Sequence, residues 1–119
     1  MSETLKFDRE FLRTCLALAA KQEVDHFLYI CDTPLSPEDL KGRKARSKLI
    51  YAVTLESLAA DLAAQKHRAL VIPPYDYLRV ERVKVALVSA LSQGAVKEGD
   101  LVLCATGRVG RPVDTLMHM

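Results

Sequence analysis

Short apolar runs set between stretches of helical character recur along this chain and leave it few ways to fold. His26-Phe27-Leu28-Tyr29-Ile30-Cys31, Leu49-Ile50-Tyr51-Ala52-Val53, Ala69-Leu70-Val71-Ile72 and Leu101-Val102-Leu103-Cys104-Ala105 are apolar nearly throughout and four to six residues long. Runs this short do not make helices. They do not alternate with polar residues either, so they read as strands covered on both faces. The stretches between them have the helical period. From about Asp8 to Gln22, the residues Phe7, Phe11, Leu12, Cys15, Leu18 and Ala19 recur on one face. Ser36-Pro37-Glu38-Asp39 offers an N-cap serine, a proline at the first helical position and acids in the first turn, so a short helix is expected there. Thr54 is placed to cap a helix that buries Leu55, Leu58, Ala59, Leu62 and Ala63. A further helix, from about Leu78 to Gln93, is expected to bury Val80, Val83, Leu87 and Leu91, with Gly94 at its C′ position.

After the fourth run, residues 106–112 read as a turn and Asp114 to Met119 as a fifth strand. That connection is too short for a helical crossover, so the last strand should run antiparallel to the fourth. Strands alternating with helices give a sheet covered on both faces. The expected fold is therefore a three-layer α/β/α domain with a mixed five-stranded sheet. Its 119 residues fit one domain and should bury roughly 65% of the unfolded surface.

Composition narrows the class further. Hydrophobic residues are 50% and charged residues 27%, a globular balance. No apolar window reaches the length of a membrane span, and MSETLKFDRE lacks the basic-then-apolar pattern of a secretory signal. Five of the 17 basic residues, Lys41, Arg43, Lys44, Arg46 and Lys48, fall within eight positions. The remaining 12 set against 15 acids leave the rest of the chain at −3, so it lacks the overall basic bias of a dedicated nucleic-acid binder. Cys15, Cys31 and Cys104 are odd in number, widely spaced and flanked by apolar residues. Reduced, buried, inert thiols and a cytoplasmic location are the expectation, with no metal site. Nothing in the sequence calls for a cofactor.

In an open α/β sheet, ligands lie beyond the carboxyl ends of the strands, where the strand order reverses. The first and fourth strands are the expected central pair, which nominates Asp32, Thr33, Thr106, Gly107 and Arg108 for a phosphate or carboxylate ligand. The same residues would also serve as plain turns. The GRVG stretch is not a dinucleotide fingerprint. The basic run from Lys41 to Lys48 would meet phosphates of a nucleic acid or nucleotide, or simply keep a connection solvated. Pro73-Pro74-Tyr75-Asp76-Tyr77 is a rigid loop whose tyrosines would anchor an interface or lid the core. His26, His67 and His118 are scattered, and no P-loop, HExxH or GxSxG motif is present, so no catalytic residue is assigned. The acid pairs Glu38-Asp39 and Glu98 with Asp100 suit caps and turns.

The element order, with Gly94-Ala95-Val96-Lys97-Glu98-Gly99-Asp100-Leu101-Val102-Leu103-Cys104-Ala105-Thr106-Gly107, resembles the C-terminal domain of pyruvate kinase. That resemblance implies a mixed five-stranded sheet with an antiparallel last strand, a regulatory role, subunit contacts and, in some members, an effector-phosphate site. In those members the site uses a Ser/Thr-rich loop after the first strand. Asp32-Thr33-Pro34-Leu35-Ser36 stands at that place here without the hydroxyl-rich, Gly-containing pattern.

Arg46-Ser47-Lys48-Leu49-Ile50-Tyr51-Ala52-Val53, Val71-Ile72-Pro73 and Arg111-Pro112-Val113-Asp114-Thr115-Leu116 also resemble the stand-alone version of this fold. That version is found N-terminal to bacterial diadenylate cyclase domains of the DNA-integrity-scanning type. It implies an accessory domain of a longer chain, with cyclic di-AMP synthesis downstream. The cyclase's own Asp-Gly-Ala and Arg-His-Arg motifs are absent from these 119 residues.

The expected function is thus a non-catalytic sensor or interaction domain that self-associates or binds a small anionic effector. The alternatives are a small phosphoryl-handling enzyme using Asp32, Thr33 and Arg108, or a nucleic-acid-associated module using residues 41–48.

Overall fold

The structure is a computed structural model of the chain, and it describes residues 13–32, 44–73, 79–106 and 115–118. In chain order these form α1 (13–21) and β1 (His26–Ile30), then a 3-10 turn (Lys44–Lys48) leading into β2 (Leu49–Val53). They continue as α2 (Glu56–Ala64), β3 (Arg68–Val71), α3 (Arg79–Ser92), β4 (Val102–Thr106) and β5 (Thr115–His118). The α/β class expected from the alternation of strands and helices is the class observed. The sheet order is β3-β2-β1-β4-β5. Pairs β1–β2, β1–β4 and β2–β3 are parallel, while β5 pairs antiparallel with β4, Thr106 opposite Thr115.

Side-chain alternation along the strands divides the core in two. Phe27, Tyr29, Tyr51, Val53, Leu103 and Ala105 face one way, against Cys15, Leu16 and Ala19 of α1 and Leu62 of α2. Leu28, Ile30, Ile50, Ala52, Leu70 and Cys104 face the other way, against Val83, Ala86 and Ala90 of α3. Two cores on opposite faces of one sheet make three layers. β1, β2 and β4 are buried almost completely, as runs covered from both sides must be.

Several expectations are corrected. The third run gives β3, an edge strand in which Leu70 alone is fully buried and Arg68 is exposed, with Ile72 buried just beyond it. A charge on an outer strand discourages edge-to-edge pairing. Thr54 does not cap α2: Leu55 occupies the N-cap with no side-chain cap bond. Leu55 is extended there (φ −109°, ψ 121°), outside the helical face, and is 52% exposed. Ala63 is exposed as well, and only Leu62 of α2 is fully buried.

On α3 the buried stripe is Val83, Ala86 and Ala90, with Leu87 half-buried and Leu91 exposed at 48%. The helix end explains the rotation. Gly94 is left-handed (φ +75°), its N–H donates to the Leu91 carbonyl (3.2 Å), and Ala95 N–H donates to the Ala90 carbonyl (2.9 Å). This paired 6→1 and 5→2 arrangement is a Schellman cap, which brings the residue after the glycine against the Ala90 side of the helix. Ala95 and Val96 then pack into the same core as Ala90. The Ala90 side must therefore face the sheet, and the bulkier Leu91 turns outward. Val80 lies outside the residues whose side chains are described, as do Phe7, Phe11, Leu12, the 36–39 helix and the Pro74–Tyr77 stretch.

Candidate functional site

The two ends of the sheet carry different chemistry. At the carboxyl end, strand order reverses between β1 and β4: β2 and β3 lie to one side and β5 to the other. This is the crevice position of an open α/β sheet. Of the residues nominated there, Thr33, Gly107 and Arg108 lie outside the described residues.

Asp32 follows β1 and is exposed. Its Oδ1 accepts the Thr54 backbone N–H at 2.7 Å and its Oδ2 accepts the Thr54 hydroxyl at 2.6 Å. The hydroxyl expected to cap α2 instead ties the end of β2 to the end of β1. Asp32→Ala removes a two-point, charge-assisted link and is expected to cost about 1 kcal/mol in urea unfolding. An unchanged midpoint would show that the link is not held in solution.

Thr106 belongs to β4 rather than to the turn, and it is fully buried. By alternation it shares the α3 face with Cys104. Arg82, in the first turns of α3, is only 4% exposed. Because α3 leads from the end of β3 back to the start of β4, its first turns sit at the carboxyl end of the sheet. Arg82 and Thr106 are thus two buried polar groups on one face at the same end. Apolar periodicity passes over Arg82, and only its i, i+4 spacing from Ala86 hints that it faces inward.

The amino end holds a network that the sequence left scattered. Lys97-Glu98-Gly99-Asp100 is a turn closed by Asp100 N–H to the Lys97 carbonyl (3.0 Å), with Gly99 at φ +91° where such a turn requires a left-handed residue. Asp100 Oδ2 accepts the Lys97 N–H (2.9 Å) and the His26 Nε2–H (2.9 Å). On its other side, His26 Nδ1 faces Arg68 Nη1 at 3.4 Å, and Arg68 Nη2 donates to the Ser47 carbonyl at 3.4 Å. Asp25 Oδ2 accepts the Leu101 N–H at 2.7 Å and starts the β1–β4 ladder. His26 is held on both ring nitrogens, which makes it a strut between strand starts rather than a base with a free lone pair.

Hydrogen bonds from the Lys97 backbone and from His26 hold the Asp100 carboxyl below its ordinary value of 3.8. A depressed folded pKa means the fold favours the carboxylate. Its stabilisation is present above that ordinary value and lost as pH falls through the lower folded value. Asp100→Asn should therefore destabilise at pH 6 and converge with the parent in strong acid, read by chemical denaturation across that range. A penalty independent of pH would refute the assignment.

The basic run is partly described. Lys44 to Lys48 form the 3-10 turn that leads into β2, with Arg46 and Ser47 exposed and Lys48 half-buried. Lys41 and Arg43 lie outside the described residues. The structure therefore puts the two nominated groups at opposite ends of the strands: Asp32 and Thr106 at one, Lys44, Arg46 and Lys48 at the other. His118 is in β5, away from the other two histidines in the strand order.

The thiols are buried and unbridged. Among the described residues, no three His, Cys, Asp or Glu side chains gather as a metal ion would need, and no helix is long and apolar enough to cross a membrane. No protein-family model matches the chain, and no curated protein matches it.

Proposed function

We propose that this chain is a non-catalytic regulatory or interaction domain that takes a small anionic effector beyond the carboxyl ends of β1 and β4. The observation that carries this reading is the reversal of strand order between those two strands. In open α/β sheets a ligand lies beyond such a reversal, and here Asp32 is exposed at that end while Thr106 and Arg82 are buried polar groups beneath it. The likeness of its helix–Gly-Asp–strand ending to the pyruvate kinase C-terminal domain supports a regulatory role. The likeness to the accessory domain of diadenylate cyclases of the DNA-integrity-scanning type supports attachment to a cyclase domain in a longer bacterial chain. In that setting the domain passes effector binding or self-association on to cyclic di-AMP synthesis.

A thermal-shift screen of phosphorylated metabolites and nucleotides tests the effector. At 1 mM, a ligand with a Kd of about 10 μM should stabilise by about 2.7 kcal/mol. Absence of any stabilisation at millimolar ligand would sink the proposal.

A further inference from the structure

The second concentration of charge lies at the other end of the strands, and it is assembled from two distant parts of the chain. Arg46 and Lys48 come from the 3-10 turn before β2. Lys66, His67 and Arg68 come from the α2–β3 connection and the start of β3. The parallel β2–β3 register sets Arg68 beside Ile50, and its guanidinium reaches back to the Ser47 carbonyl, so the two basic segments meet. Arg46 is close enough to His67 to add to the burial that lowers the imidazole pKa. The groups Arg68 contacts, a carbonyl and an imidazole nitrogen, carry no negative charge. Among the described residues, no carboxylate forms an ion pair with Arg46, Lys48 or Arg68; the Asp100 carboxylate is taken by His26.

The size of this edge selects the ligand. Three neighbouring strands, β1 to β3, span about 10 Å. That is too short for the roughly 6–10 phosphate contacts of a duplex nucleic-acid site. The described aromatics Phe27, Tyr29 and Tyr51 are all buried, so none of them is available at this edge to stack a base.

We propose that the amino edge of the sheet is a binding site for the linked phosphates of a small polyphosphorylated ligand, with Arg46 and Arg68 as its two principal contacts and Lys48 and His67 beside them. Two guanidinium forks match phosphate oxygens in geometry as well as in charge. The site is independent of the effector crevice at the opposite end.

Inorganic tripolyphosphate, titrated into the full chain at low salt and followed by amide NMR, tests the proposal. The expected result is saturable shifts at Arg46, Ser47, Lys48, His67 and Arg68. Arg46→Glu should weaken binding by about tenfold or more, whereas Lys84→Glu on the solvent face of α3 should leave it unchanged. Because Arg68 also braces His26, Arg46→Glu is the primary variant, with Arg68→Lys as a milder second. Thermal unfolding of each variant confirms that it is folded. No shifts at about 10 mM tripolyphosphate overturns the proposal. So does an equal loss in Lys84→Glu, or an oligonucleotide that binds where tripolyphosphate does not.

Discussion

Phe27→Ala is expected to destabilise the domain by about 3–5 kcal/mol, the range for emptying a fully buried aromatic position. Phe27 lies in β1, the central strand, with none of its surface exposed, packed in the core beneath α1 and α2. A domain of this kind holds only about 5–15 kcal/mol in all, so the variant should unfold at markedly lower urea or fail to fold at 37 °C. Leu91→Ala and Leu55→Ala provide the contrast. Both side chains read as core in the sequence and are about half exposed in the structure, so each change should stay within about 0.5 kcal/mol. Equal losses at Phe27 and Leu91 would contradict the rotation of α3 described above.

The second large effect is in thiol chemistry. Burial raises the Cys15 thiol from 9.0 to about 11 and the Cys104 thiol from 9.0 to about 12. The thiolate is the reactive form, so at pH 8 its population should fall about 100-fold and about 1,000-fold relative to an unperturbed thiol. Steric closure slows reaction further, since both residues have no exposed surface. Labelling with a thiol-specific chromogenic reagent should therefore be slow in the native protein and fast in urea. Rapid native labelling of Cys15 or Cys104 would contradict the buried placement, and with it the view that these cysteines serve packing alone.

Much of the fold was legible because it depends on local pattern. The run Leu49 to Val53 is a strand at those same bounds, since five consecutive apolar, largely branched or aromatic residues have few other uses in a small domain. Gly94 was legible as a helix stop because its left-handed backbone suits glycine. Thr54 was misread for a related reason. A threonine before a helical stretch resembles an N-cap, but its hydroxyl has a better acceptor in Asp32, 22 positions away in sequence. Local rules rank local partners and do not see that one.

The candidate sites divide in the same way. Asp32 was legible because the expected neighbours, the first and fourth strands, are adjacent in the observed order; the alternation of elements sets the class but leaves that order to tertiary packing. The basic run from Lys41 to Lys48 was visible as charge density. Its meeting with His67 and Arg68 was not, because Arg68 lies 21 positions beyond Ser47 and only the parallel β2–β3 register brings the two segments together. Arg82 was hidden because a charged residue in a helix is ordinarily taken as solvent-facing.

Hydrophobic period and run length act over a few residues, so the succession of short buried strands and covering helices, and hence the α/β class, is written in the local pattern of the chain. The tertiary structure alone decided which helix face turns inward, which carboxylate takes the Thr54 hydroxyl, and which basic residues share an edge. Those outcomes depend on parallel strand register and on the Schellman turn after α3. Both bring together residues that are far apart in the chain, and side chains then take the partners that space and charge provide.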